Sequence, residues 1–146
     1  PKTICCMGIR DGTEAFEFKS YYPKADVYGV DITKNINSIK THIDIKIRLH
    51  DFNDLPEDWE SKFDLVFSNS LDHAYKPEDT IREWHRVTKK DGWLFLEFST
   101  TPPNAIEHSF EIANIGELLP AELFEHVKVW EVPDRNVFDG LFRVIK

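Results

Sequence analysis

The segment FDLVFSNSLDHAYKPEDTIREWHRVTKKDGWLFLEF, residues 63–98, carries the reading that decides the fold. Residues 63–70 stay apolar until Ser68, Asn69 and Ser70, which predicts a buried strand ending in small polar groups. Pro77 suits the first turn of a helix, with Glu78 and Asp79 at its positive end. Ile81, Trp84 and Thr88 then follow on one face, and Lys89 and Lys90 fall at the expected negative end. Asp91-Gly92 reads as a turn into a second strand, WLFLEFS, over 93–99. A strand, a helix and a strand in succession form a crossover, so the two strands should run parallel.

The same alternation extends toward both ends. TICCMG (3–8) reads as a buried strand, and Asp11 with Glu14 three residues on signals a helix start. The helix over 13–22 places Ala15, Phe18 and Tyr22 on helical spacing, and Pro23 closes it. Strands are expected at DVYGVDI (26–32) and IDIKIRLHD (43–51). Asn114 with Glu117 marks a short helix through about Leu119. HVKVWEV (126–132) and GLFRVIK (140–146) read as closing strands. The gap between them, PDRNVFD (133–139), has no room for a crossover helix, so that pair should be antiparallel. The expectation is one α/β domain over 1–146: a doubly wound, mostly parallel sheet with an antiparallel C-terminal pair and helices on both faces.

Composition agrees with a packed domain. The chain has 146 residues, 41% hydrophobic and 30% charged, enough to bury a core. Four Trp and eleven Phe argue against disorder. A net charge of −8 repels phosphate backbones, which makes nucleic acid an unfavoured partner. No apolar stretch approaches membrane length, so a soluble, cytoplasmic protein with no membrane partner is expected. Cys5 and Cys6 are neighbours whose side chains point to opposite faces of a strand, a poor disulfide geometry. No CxxC pair or His-rich cluster offers a metal site.

In open α/β sheets the ligand lies beyond the carboxyl ends of the strands. Gly8 and Gly12 bracket the first strand-to-helix turn, where glycine admits positive φ and close approach of a ligand. Asp31 ends the second strand, where a carboxylate can accept both hydroxyls of a ribose or cap a helix. Asp51 can accept from an adenine amino group or cap a turn; Phe52 can cover a purine face or belong to the core. Arg10 can hold a carboxylate bidentately or pair with Glu14 four residues on.

Taken together these stretches resemble the class I S-adenosylmethionine-dependent methyltransferases over nearly the whole chain. ICCMGIRDG lies where that family has its glycine loop, VYGVDI matches its second motif with a terminal acid, and HDF sits at the third. The run over 63–98, with HRVTKKDG before its last strand, is the most specific part. The resemblance implies a Rossmann-like fold and S-adenosyl-L-methionine as cofactor. It also implies a cofactor set of Gly8, Arg10, Gly12, Asp31, Ile32, Asp51, Phe52, Asn69 and Leu71. Two positions depart from the family pattern: Cys6 stands where an acid is usual, and Arg10 where glycine is usual. The glycine loop also lacks the GxGxxG spacing of dinucleotide dehydrogenases.

Methyl transfer from a sulfonium is an in-line displacement, so the protein's main tasks are positioning and exclusion of water. His73 is the best-placed candidate for a general base, with Asp72 beside it in sequence; the other reading makes His73 a pocket wall. Only residues 99–114 and 133–139 offer cover for an acceptor. So lean a chain implies a small or exposed acceptor, or walls borrowed from a second subunit or a partner. The other class of reading is a cofactor-binding module that regulates or scaffolds a partner without turnover.

Overall fold

A computed structural model describes residues 1–33, 44–99 and 112–146, with backbone alone at 112–114. In chain order the elements are β1 (Thr3–Met7), α1 (Thr13–Tyr21), β2 (Asp26–Asp31), β3 (Ile45–Leu49) and β4 (Phe63–Ser68). Then come α2 (Pro77–Val87), β5 (Thr88–Ser99), α3 (Ile112–Leu118), β6 (Phe124–Val132) and β7 (Val137–Val144). The strands form one sheet in the order β3-β2-β1-β4-β5-β7-β6. β1 pairs parallel with β2 and β4, β2 with β3, and β4 with β5. β7 runs antiparallel to both of its neighbours, β5 and β6. The expected doubly wound sheet with its antiparallel C-terminal pair is therefore present.

Alternation along β1 divides the core into two layers. Cys5 and Met7 belong to the layer with Ile81 and Trp84 of α2 and Leu118 of α3. Ile4 and Cys6 belong to the layer with Ala15, against which Phe18 of α1 packs. Helices thus cover both faces. Burial pushes the thiols of Cys5 and Cys6 upward, so both remain unreactive packing groups near neutral pH.

Several boundaries differ from the sequence reading, among them the start of β6 at Phe124 rather than His126. Asp91-Gly92 does not separate helix from strand: α2 ends at Val87 and β5 begins at once with Thr88. Thr88 pairs with Phe63 and Trp93 with Leu65, so the added residues bulge out of the ladder at Asp91, whose φ is 59°. The buried Thr88 hydroxyl donates to Trp84 O at 2.6 Å and so satisfies a carbonyl of the last helical turn. β7 begins at Val137, which pairs with Val132, so only residues 133–136 form the turn. Tyr22 is 41% exposed and lies beyond the end of α1, outside the core. The expected beginning of β3 at Ile43, and the cover over residues 100–111, lie outside the described residues.

α2 also fixes the segment between β3 and β4. Trp84, with no exposed surface, donates from Nε1 to Phe52 O at 3.0 Å and packs edge-on to the Phe52 ring. Glu83 accepts from Leu55 N at 2.9 Å, and Arg86 Nη2 donates to Leu55 O and Pro56 O. No described helix is long and apolar enough to cross a membrane.

Candidate functional site

Strand order reverses beside β1, between β2 and β4, and that is where the loops after these strands converge. The first loop is pinned to the end of β2. Gly8 N and Ile9 N both donate to Val30 O, at 2.8 and 3.2 Å. Gly8, Arg10 and Gly12 all have positive φ, at 74°, 43° and 84°. A Cβ on Gly8 would stand 2.6 Å from Ser70 Oγ, so close approach of the β4 exit requires glycine there. Arg10 pays a left-handed strain of about 1 kcal/mol at a position that glycine would fill freely.

Asp31 explains how that strain is held. Its side chain is nearly buried, and each carboxylate oxygen accepts one backbone N–H: Oδ2 from Arg10 at 2.8 Å, Oδ1 from Thr33 at 2.9 Å. A carboxylate offers about four acceptor sites, so lone pairs remain for a ligand. At the helix entry, Asp11 Oδ1 accepts from Thr13 N and Thr13 Oγ1. The N-cap position itself is Gly12, one residue later than the sequence signal suggested.

The exit of β4 is stitched to β1. Ser68 Oγ donates to Met7 O and accepts from Ser70 N, both at 3.0 Å. Asn69 Nδ2 donates to Glu14 Oε1 at 2.7 Å. This bond takes the carboxylate that the sequence offered to Arg10, and no Arg10–Glu14 ion pair forms. Asp51 Oδ1 accepts from Asn53 N and Nδ2, at 2.8 and 2.6 Å, the turn-capping role that the sequence left open.

These loops enclose a cleft of about 550 Å³ at the strand ends. It brings together Gly8, Arg10, Asp31, Ile32, Asp51, Phe52, Asn69 and His73. Ile32 is largely exposed at its rim, whereas Phe52 is buried and shows the cleft only an edge. Three expected residues stand back from it. Gly12 is buried under the helix start. Leu71 is 1% exposed and packs in the core, so its side chain anchors the short turn Leu71–His73. Asp72 lies behind His73, with Oδ1 3.8 Å from Nε2, an electrostatic neighbour beyond hydrogen-bond reach. Ser70, Asn53 and Tyr75 also line the cleft. The small polar end of the strand at Ser68-Asn69-Ser70 marks Ser70 in the sequence, whereas Asn53 and Tyr75 have no such sign there.

A family model described as a methyltransferase domain matches residues 5–96, which span every loop just described. No curated protein sequence matches the chain. Among solved structures, the chain is similar to a Burkholderia thailandensis 1,6-didemethyltoxoflavin-N1-methyltransferase with bound S-adenosylhomocysteine, at 17% identity and a TM-score of 0.80. That match covers 100% of this chain and 72% of the other. A Methanosarcina mazei SAM-dependent methyltransferase matches at 19% identity and TM-score 0.79, covering 98% and 92%. The [4+2]-cyclase SpnF matches at 14% identity and TM-score 0.83, covering 98% and 74%. At these identities the likeness is one of fold.

Proposed function

The chain belongs to the methyltransferase-domain family, the class I S-adenosylmethionine-dependent methyltransferases, and from that premise we propose how its residues divide the work. The 146 residues act as one domain that moves a methyl group to a small or exposed acceptor. The observation that carries the reading is Asp31: a carboxylate fixed by two loop amides at the end of β2, with acceptor capacity facing the cleft. It accepts the ribose hydroxyls of the cofactor. Ile32 and the edge of Phe52 flank the adenine, and the Asp51 oxygen not engaged by Asn53 accepts from the adenine amino group. A cleft of about 550 Å³ is of the size that small-ligand sites have.

Arg10 holds the carboxylate at the amino-acid end. Its backbone is fixed by Asp31, and Glu14 is engaged by Asn69, so the exposed guanidinium can turn over the cleft mouth. This compensates for Cys6, which is buried in the second core layer and offers the cofactor nothing. Gly8 and Gly12 shape the loop, while Leu71 anchors the turn that presents Asn69 and His73. When bound, the cofactor supplies the activated methyl group. The protein's part is to orient the acceptor, exclude water and, through His73, take a proton where an oxygen acceptor must lose one. Asp72 Oδ1 lies 3.8 Å from His73 Nε2, on the same short turn.

A thermal-shift panel of S-adenosylmethionine, S-adenosylhomocysteine and NAD tests this. A ligand at 100 times its Kd stabilises by about 2.7 kcal/mol. Both sulfur ligands should shift the transition; a shift with NAD alone contradicts the reading. A second reading, a cofactor-binding module without methyl transfer, has one observation behind it: the same fold carries a [4+2]-cyclase. Cofactor binding with no methylated product across an acceptor panel would favour it.

A further inference from the structure

We propose that a second cavity, on the α1 side of β4, β5 and β7, is the acceptor pocket, and that it takes a small nitrogen base. The acceptor class is an amine, amidine or N-heterocycle with N–H donors on an apolar body. The proposal rests on the methyltransferase reading above and names the substrate class for it.

The cavity measures about 580 Å³ and shares a wall with the cofactor cleft. Glu14 and Asn69 line both spaces, and their 2.7 Å hydrogen bond is the partition. An acceptor in the second cavity therefore meets the donor methyl once this single side-chain pair parts and joins the two spaces. The floor is aromatic: Phe67 of β4 lies 5.3 Å from Phe95 of β5 and 5.3 Å from Phe18 of α1, between ring centroids. Aromatic faces favour a cation or a polarised N–H above them.

Two carboxylates stand beside this floor, and one of them has no ion-pair partner among the described residues. Glu97 of β5 and Asp139 of β7 are directly opposite in the antiparallel ladder. Like charges in that register destabilise a sheet. Arg135, from the exposed β6–β7 turn, reaches Glu97 at 3.3 Å. Asp139 Oδ1 is enclosed and has no hydrogen-bond partner among the described residues. Burial raises the pKa of both groups; Asp139 and Glu14 push Glu97 further up, and Arg135 opposes the rise in each. Glu14 and Glu17 of α1 also line the cavity, so among the described residues acids outnumber the one guanidinium there. An anionic acceptor is repelled there, whereas N–H donors give Asp139 the partner it lacks.

The step balances with nothing added. The nitrogen lone pair of the neutral acceptor forms a bond to the methyl carbon. The bond from that carbon to the cofactor sulfur breaks, and its electron pair stays on sulfur. An acceptor that arrives as an ammonium first gives one N–H proton to a carboxylate of the pair, which frees that lone pair, and the methylated nitrogen keeps the positive charge; His73 lines the cofactor cleft and not this cavity, so it takes no part in this step.

The test is calorimetric titration of the protein saturated with S-adenosylhomocysteine. The probes are two amines, tryptamine and benzylamine, against carboxylates of matched ring, indole-3-propionate and phenylacetate. At least one amine should bind ten or more times tighter than its matched carboxylate. Glu97→Gln with Asp139→Asn should weaken that amine at least tenfold and leave the S-adenosylhomocysteine Kd unchanged. The double variant removes a like-charge pair, so its melting temperature should hold or rise. If it falls, Phe95→Leu replaces it in the titration, with the same expected loss of amine. Failure of both amines to bind, equal binding of amine and carboxylate, or full retention by the variant overturns the acceptor proposal. Failure of the wild type to bind S-adenosylhomocysteine instead overturns the reading beneath it.

Discussion

Replacing Asp31 by asparagine separates the two tasks assigned to that side chain. Both carboxylate oxygens are acceptors in the native loop, for Arg10 N at 2.8 Å and Thr33 N at 2.9 Å. An amide has only one acceptor oxygen, so in either orientation its NH₂ faces a backbone donor. One charge-assisted hydrogen bond is lost, worth about 1.5–3 kcal/mol. For a chain of this size that lowers Tm by about 3–12 °C. If the same carboxylate accepts the ribose hydroxyls, losing its charge weakens S-adenosylhomocysteine by roughly 10- to 150-fold. Thermal melts and calorimetric titration of Asp31→Asn read the two effects separately. An unchanged Tm would refute the loop geometry. A lowered Tm with an unchanged Kd would show that Asp31 serves the loop alone.

Arg10→Ala should weaken S-adenosylhomocysteine by about tenfold or more while leaving adenosine, which has no carboxylate, unaffected; equal losses for both would sink the assignment. His73→Ala should lower turnover by about 10²-fold with cofactor Kd unchanged, in a single-turnover assay with an oxygen acceptor that must lose a proton; a loss of affinity first would make His73 a wall. Trp84→Phe leaves Phe52 O without its 3.0 Å donor in a buried site and should cost about 1–3 kcal/mol in urea unfolding. Burial raises the Asp64 carboxyl, but hydrogen bonds from Lys89 Nζ and from the Thr3 and Lys2 amides outweigh it and hold its pKa well below the ordinary 3.8. Its contribution to stability is thus complete above that ordinary value and is lost as pH falls below it. The stability gap between wild type and Asp64→Asn should be larger at about pH 6 than at about pH 3. A gap that widens in acid contradicts the sign.

The sheet was legible because its signals are local and periodic. Apolar runs marked β1 and β4, DVYGVDI marked β2, and a gap too short for a helix marked the antiparallel hairpin of β6 and β7. The boundaries that moved depend on tertiary pairing. Asp91-Gly92 has the chemistry of a turn, and it does turn, but as a bulge within β5, because Thr88 already pairs with Phe63. Lys89 was read as a helix-end charge and instead bonds Asp64 at 2.7 Å across the sheet. At the candidate site, the sequence placed Asp31 and Asn69 at strand ends but carried no sign of their partners. Glu14 and Asn69 are 55 positions apart, and their bond replaces the local Arg10–Glu14 pair that helical spacing suggested. The Glu97–Asp139 pair was equally invisible: its one trace is a single acid in the apolar strand WLFLEFS, and its register depends on where β7 begins.

The central claim is that the cleft at the ends of β1, β2 and β4 holds S-adenosylmethionine with Asp31 on the ribose and Arg10 on the amino-acid carboxylate. A crystal structure of the chain with S-adenosylhomocysteine tests it most directly. The account predicts both ribose hydroxyls within hydrogen-bond distance of the Asp31 carboxylate, the adenine beside Ile32 and Phe52, and the carboxylate on the Arg10 guanidinium. A ligand bound elsewhere, or one whose ribose does not touch Asp31, would contradict it.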